Sequence, residues 1–114
     1  MQPTILTRDD LQRNGNSYDF EGYQHGQIDT SFIVVDLSPG DGPRLHEHAY
    51  GEILIIQQGC DRYTVGGMTL DASAGQIVLI SPDAAHKFFT AAEEPLRQID
   101  IHLSRRILTE WLED

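Results

Sequence analysis

From residue 31 onward the chain is a succession of short apolar runs, each closed by turn residues. Residues 31–37 are β-branched and aromatic and stop at Ser38-Pro39-Gly40; residues 52–57 form a second run that stops at Gly59. Residues 62–65 and 68–70 flank Gly66-Gly67. Both glycines accept the positive φ that a two-residue hairpin turn demands. Residues 76–80 and 86–90 are further runs. In residues 96–103, Ile99, Ile101 and Leu103 alternate with Gln98, Asp100 and His102, a period of two. Short strands at regular spacing predict an all-β sandwich or barrel. Its core and lining draw on Ile33, Val35, Leu54, Ile56, Ile77, Leu79, Phe88, Ile99 and Ile101, some of which also wall a pocket.

The two ends read differently. Residues 7–27 are polar, with Asn14-Gly15-Asn16-Ser17 as a loop signal; Tyr18, Phe20 and Tyr23 pin the segment to the body. Residues 104–113 carry a helical pattern: Ile107, Leu108, Trp111 and Leu112 share one face, and Ser104 stands at the N-cap. The charges oppose the helix dipole, with Arg105 and Arg106 at its start and Glu113 and Asp114 at its end. Ten residues do not hold a helix alone in water, so burial of Trp111 is expected to support it. The expected organisation is one domain over 1–114, with an arm at 1–30, a barrel at 31–103 and a C-terminal helix at 104–113.

Length and charge narrow the function. A chain of 114 residues fits one domain and leaves no room for a fused DNA-binding domain. Eight basic against 18 acidic side chains give a net charge of −10, which argues against nucleic acid and anionic lipid. The longest apolar run, residues 53–56, is far too short to span a membrane, and no signal peptide is visible. One cysteine, Cys60, cannot make an internal disulfide, so a cytoplasmic location is expected. Cys60 fits no cysteine-enzyme signature, and neither a phosphate-cradling glycine loop nor a Gly-x-Ser-x-Gly elbow occurs.

Histidine carries the chemistry. His46 and His48 lie two apart and so share a strand face. Glu52 follows the turn Ala49-Tyr50-Gly51 and opens the next strand beside them. His86 opens another strand after Ser81-Pro82. Three imidazoles and a carboxylate suit one divalent ion of intermediate softness: Mn, Fe, Co, Ni, Cu or Zn. Such a centre is net positive and can hold an anionic or enediol-type oxygen ligand. A His-x-His pair alone is more simply a surface feature of an acidic loop.

The spacing around it decides otherwise. Gly40, five residues, His46, one, His48, three, Glu52, six, Gly59 resembles the first motif of the cupin family at every defined position. Gly75 and His86 resemble the second. Ser81 stands where the family usually has Pro, Asp83 where it has Gly, and Thr90 where it often has Asn. The resemblance spans residues 31–103, and the stretch 97–102 and the tail 110–113 look like the ends of small single-domain bacterial cupins. It implies an antiparallel jelly-roll barrel with a metal in its mouth, held by His46, His48, Glu52 and His86. It also implies dioxygenation, isomerisation or decarboxylation of a small oxygenated or anionic metabolite. The alternative is a non-catalytic sensor or carrier of a small molecule.

Glu52 and His102 are the candidate catalytic residues. Tyr50, Leu54, Ile56, Phe88, Gln98 and Asp100 are the candidate pocket residues. For Gln98, Asp100 and His102 the orientation is decisive: the apolar face of a strand ordinarily faces the core, which turns all three toward solvent or a second subunit. Turned inward instead, they would orient substrate or transfer protons. His25 has no partner legible in the sequence. A homodimer through exposed edge strands is expected.

Overall fold

A computed structural model describes residues 3–114. Among these residues, eleven antiparallel-paired strands form two facing sheets. They are β1 (Gln12–Asn14), β2 (Ser17–Phe20), β3 (Ser31–Leu37), β4 (His46–Glu47), β5 (Glu52–Gln58), β6 (Cys60–Val65), β7 (Met68–Ser73), β8 (Ile77–Ile80), β9 (His86–Thr90), β10 (Leu96–His102) and β11 (Glu110–Trp111). One sheet runs β1-β2-β3-β10-β5-β8, the other β11-β4-β9-β6-β7. Among the described residues, helix is confined to single 3-10 turns at Arg8–Asp10 and Gly22–His25.

The period of two sets the layers. Val35, Leu54, Ile56, Tyr63, Ala72, Val78, Ile80, Phe88 and Leu96 point between the sheets and form one buried cluster. The Gly66-Gly67 turn closes β6 onto β7 with φ of 55° and 81°, and Val65 pairs with Met68 as the hairpin reading requires. At Gly42 the limit is space: a Cβ there would run into the Phe88 carbonyl, so only glycine lets the loop before β4 pass against β9.

Several expectations from sequence are corrected. Residues 104–113 are not a helix. They run as an extended strap that ends in β11, where Trp111 pairs with His46 and Glu110 with Glu47. The reversed dipole and the short length already weakened the helix. The strap spends its backbone on the barrel instead: Leu112 N–H donates to Leu45 O at 2.9 Å, and Leu45 N–H to Glu113 Oε1 at 2.8 Å. Trp111 is not buried but 51% exposed.

The polar segment 7–27 contains a hairpin: Asn14 pairs with Ser17, and β2 pairs with β3. Ile77 and Leu79 are not core. They are 61% and 73% exposed on edge strand β8, while Val78 and Ile80 point inward. In β10 the inward face is Leu96, Gln98, Asp100 and His102, all buried, and Ile99 and Ile101 lie on the outer face. Polarity was a false guide on this strand, because the barrel interior is itself a polar site.

Candidate metal centre

Three strands deliver the four candidate ligands to one end of the sandwich. His46 on β4 and His86 on β9 are direct cross-strand partners. His48 follows β4 by one residue, and Glu52 opens β5 opposite His102 of β10. His46, His48, Glu52 and His86 are 6%, 5%, 4% and 1% exposed. One ligand atom from each lies within 4.8 Å of all the others.

The hydrogen bonds fix the protonation of the three rings. Nδ1 of His46 lies 2.7 Å from Arg44 O, Nδ1 of His48 2.8 Å from Leu108 O, and Nδ1 of His86 2.8 Å from Ala84 O. A carbonyl only accepts, so each Nδ1 carries a proton, and the Nε2 of a neutral ring presents a lone pair. The Nε2 atoms of His48 and His86 stand 3.1 and 3.0 Å from Glu52 Oε1. That oxygen is buried and receives no hydrogen bond. Lone pairs converging on an orphaned carboxylate oxygen repel one another unless a positive charge lies between them. The donor set therefore fits a divalent cation, with the Nδ1–H bonds orienting the rings.

Without a cation, a proton on Nε2 takes its place beside Glu52, and the titration pattern belongs to that cation-free site. Burial lowers the His46 imidazole to about 4, and the Arg44 carbonyl only partly offsets it. Burial also presses on His48, but the Glu52 carboxylate and the Leu108 carbonyl outweigh it and leave its pKa raised. For Glu52 burial acts upward, yet the His48 and His86 rings hold the carboxyl well below the usual range. The carboxylate is thus ionised at neutral pH and ready to bind a cation.

A second layer steadies Glu52. Tyr50 Oη accepts from Leu108 N–H at 3.1 Å, lies 3.4 Å from Leu108 O and shares a hydrogen bond of 2.7 Å with His102 Nδ1. His102 Nε2 stands 3.5 Å from Glu52 Oε2. Burial holds His102 at about 4 and pushes Tyr50 up to about 12.

The ligands line a cavity of about 420 Å³, within the range of small-molecule sites. Of the residues expected to line it, Phe88 and Asp100 do so, and His102 joins them. Leu54 and Ile56 sit in the core cluster, Gln98 is buried, and Tyr50 braces His102. Gln98 Nε2–H donates to Asp100 Oδ1 at 2.6 Å, and Tyr63 O–H donates to Gln98 Oε1 at 3.4 Å. Burial, then the neighbouring Glu52 charge, raises the Asp100 carboxyl well above its ordinary value. Deeper in, Asp61 is fully buried, and neither of its oxygens meets a donor.

The sequence did not single out Asp19 or Arg44, nor Trp111 as a cavity residue, and all three line the cavity. The Arg44 guanidinium lies 4.8 Å over the Trp111 ring, which is 5.2 Å from the His46 ring. The one available signal was the Asn14-Gly15-Asn16 turn, which makes 12–20 a hairpin and swings Asp19 onto the cavity. Ser81, Asp83 and Thr90, the departures from the second cupin motif, are accommodated. Asp83 adopts a φ of 64°, the left-handed conformation that glycine favours, and its N–H donates to His48 O at 2.7 Å.

Comparison with known proteins agrees with this architecture. Residues 33–102 match the Cupin domain family, and the chain belongs to it. No curated protein sequence matches it. Among solved structures, a conserved protein with a double-stranded β-helix domain from Klebsiella pneumoniae superposes with a TM-score of 0.76 at 19% identity, covering 99% of this chain and all of that one. A cupin-like protein from Thermotoga maritima gives a TM-score of 0.72 at 26% identity, over 96% of this chain and 89% of that one. Bacillus subtilis oxalate decarboxylase, a protein with Mn(II) centres, gives 0.77 at 20% identity over 89% of this chain. The chain spans 29% of that enzyme's length.

Proposed function

We propose that this cupin is a metal-dependent enzyme acting on a small oxygenated or anionic metabolite, by dioxygenase, isomerase or decarboxylase chemistry. His46, His48, Glu52 and His86 hold one divalent transition-metal ion. The observation that carries the reading is the orphaned Glu52 Oε1 facing imidazole lone pairs on the wall of a 420 Å³ cavity. Likeness to a Mn(II)-containing decarboxylase supports manganese as the first ion to try. A bound ion would polarise a substrate oxygen through its open coordination positions.

The chain's own groups serve the rest. Asp100, with its carboxyl raised toward the protonated form, presents a hydrogen-bond donor to the cavity. Ile33, Val35 and Phe88 exclude water from its apolar side. Arg44 at the wall supplies the positive charge that attracts an anion to a chain of net charge −10. The test is to load the protein with Mn²⁺, Fe²⁺, Co²⁺, Ni²⁺ or Zn²⁺ and follow a panel of small dicarboxylates, 2-oxo acids and enediols by NMR. Turnover abolished by His86→Ala is expected. Saturable binding of a panel member with no product under any metal would replace the enzyme by a carrier or sensor.

A further inference from the structure

The strap at residues 104–113 is fastened in three places. At its start, Ser31 Oγ–H donates to Ser104 O at 2.8 Å and Tyr23 N–H to Arg105 O at 3.0 Å. At its end it pairs with β4 and bonds Leu45. Its middle meets the metal centre. Leu108 O accepts from His48 Nδ1–H at 2.8 Å, and Leu108 N–H donates to Tyr50 Oη at 3.1 Å. One residue upstream, Ile107 N–H donates to Glu21 Oε2 at 2.9 Å, from a residue 86 positions away in the chain.

Glu21 is an unusual partner for a backbone amide. It is half-buried between β2 and the turn at Gly22–His25. Among the described residues no cationic side chain lies within ion-pair distance of it. A carboxylate that gives up hydration needs a partner in exchange. Here that partner is the Ile107 amide, in a charge-assisted bond stronger than a neutral one. The neighbouring residue is held too, with the Arg106 guanidinium 4.5 Å over the Tyr23 ring.

We propose that Glu21 is a positioning residue for the metal centre, acting through the strap backbone on the His48 ring. The proposal rests on the reading of His48 as a ligand. Peptide units are planar, so anchoring the N–H groups of Ile107 and Leu108 fixes two consecutive planes. The next plane carries the Leu108 carbonyl that holds His48 Nδ1–H. With that carbonyl in place, the ring is held in one orientation with its proton on Nδ1 and Nε2 free for the ion. Loss of the Glu21 bond leaves the middle of the strap on Tyr50 alone, whose hydroxyl is shared with His102. His48 then loses its steady acceptor and turns more freely. His46 and His86 are untouched, because their acceptors, Arg44 O and Ala84 O, lie outside the strap.

The test compares wild type, Glu21→Ala, Glu21→Gln and Gly75→Ala. Co²⁺ affinity is measured by chelator competition, and proton NMR of the Co²⁺-loaded chains in water follows the shifted ring N–H signals of the three histidines. Glu21→Ala is expected to weaken binding about tenfold and to broaden one of the three signals by faster exchange with water. Glu21→Gln is expected to restore both, since its amide oxygen still accepts. Gly75→Ala strains a left-handed turn beyond the far end of β5, at φ 92° and away from the strap. It is expected to melt lower yet keep wild-type affinity and three sharp signals. Glu21→Asp, one methylene short of the amide, is expected to weaken binding in the same direction and keeps the test decisive if Glu21→Ala does not fold. Wild-type affinity with three sharp signals in the folded Ala or Asp variant overturns the proposal. So does an equal loss in Gly75→Ala, because affinity would then follow stability alone. A wild-type chain that takes up no ion overturns the metal-centre reading itself, and this proposal with it.

Discussion

Asp61 offers a perturbation whose size can be worked out in advance. It lies between the sheets, fully buried, with no donor on either oxygen. Burial raises its pKa from an ordinary 3.8 to about 6. A carboxyl whose folded pKa lies above its unfolded value favours folding in its protonated form. That advantage is whole below the unfolded value near 4 and is lost as pH rises through 6. The shift of roughly two units, at 1.36 kcal/mol each, sets the loss at about 3 kcal/mol. Asp61→Asn keeps the shape and removes the titration.

Urea denaturation of both proteins from pH 4 to pH 8, in chelator, isolates the effect in their difference, because His46 and His102 titrate alike in each. At pH 4 the two are expected to have similar stabilities. By pH 8 the variant should be the more stable by up to about 3 kcal/mol, a midpoint shift of ~1–3 M urea. Parallel stability curves across the whole range would refute the placement of an unpartnered carboxyl at Asp61.

Three further outcomes follow from local geometry. Trp111 is the only tryptophan, and its ring is 5.2 Å from that of His46, so Cu²⁺ or Ni²⁺ binding should quench its fluorescence while Zn²⁺ leaves most of it; equal emission with Cu²⁺ bound would place the indole elsewhere. Gly42→Ala drives a Cβ into the Phe88 backbone beside a ligand strand and should destabilise the fold by about 3 kcal/mol or more, read by thermal melting. Asp83 sits at φ 64°, so Asp83→Val should cost about 1–3 kcal/mol while Asp83→Gly stays within about 1 kcal/mol of wild type in the same melts.

The ligands were legible because a metal site imposes its own spacing: His46, His48, Glu52 and His86 must each sit at a strand end facing one point, and strand period and turn length preserve that in sequence. The Gly66-Gly67 hairpin was legible for a similarly local reason. What misled was the assumption that apolar means inward. In β10 the interior holds Gln98, Asp100 and His102, because they belong to a polar network behind the metal centre, and the isoleucines were displaced to the outer face. Ile77 and Leu79 share that face for a different reason: every residue of β8 is apolar, and Val78 and Ile80 take the inward positions. The 104–113 segment had helical periodicity but little to hold a helix. Its backbone found better partners in His48, Leu45 and Tyr50, contacts that lie about 60 residues away along the chain and leave no local signature. Asp19 was missed because a three-residue strand at Gln12–Asn14 is too short to show a period.

The central claim is that three imidazole Nε2 atoms and Glu52 Oε1 together hold a cation. The direct measurement is elemental analysis by plasma mass spectrometry, on protein purified without an affinity tag or chelator, then supplemented with Mn²⁺ or Zn²⁺ and freed of excess. About one divalent ion per chain is predicted for wild type, with at least a hundredfold weaker binding in His48→Ala. Wild-type protein that retains well below one ion per chain after supplementation, or His48→Ala protein that binds as tightly as wild type, would contradict the account.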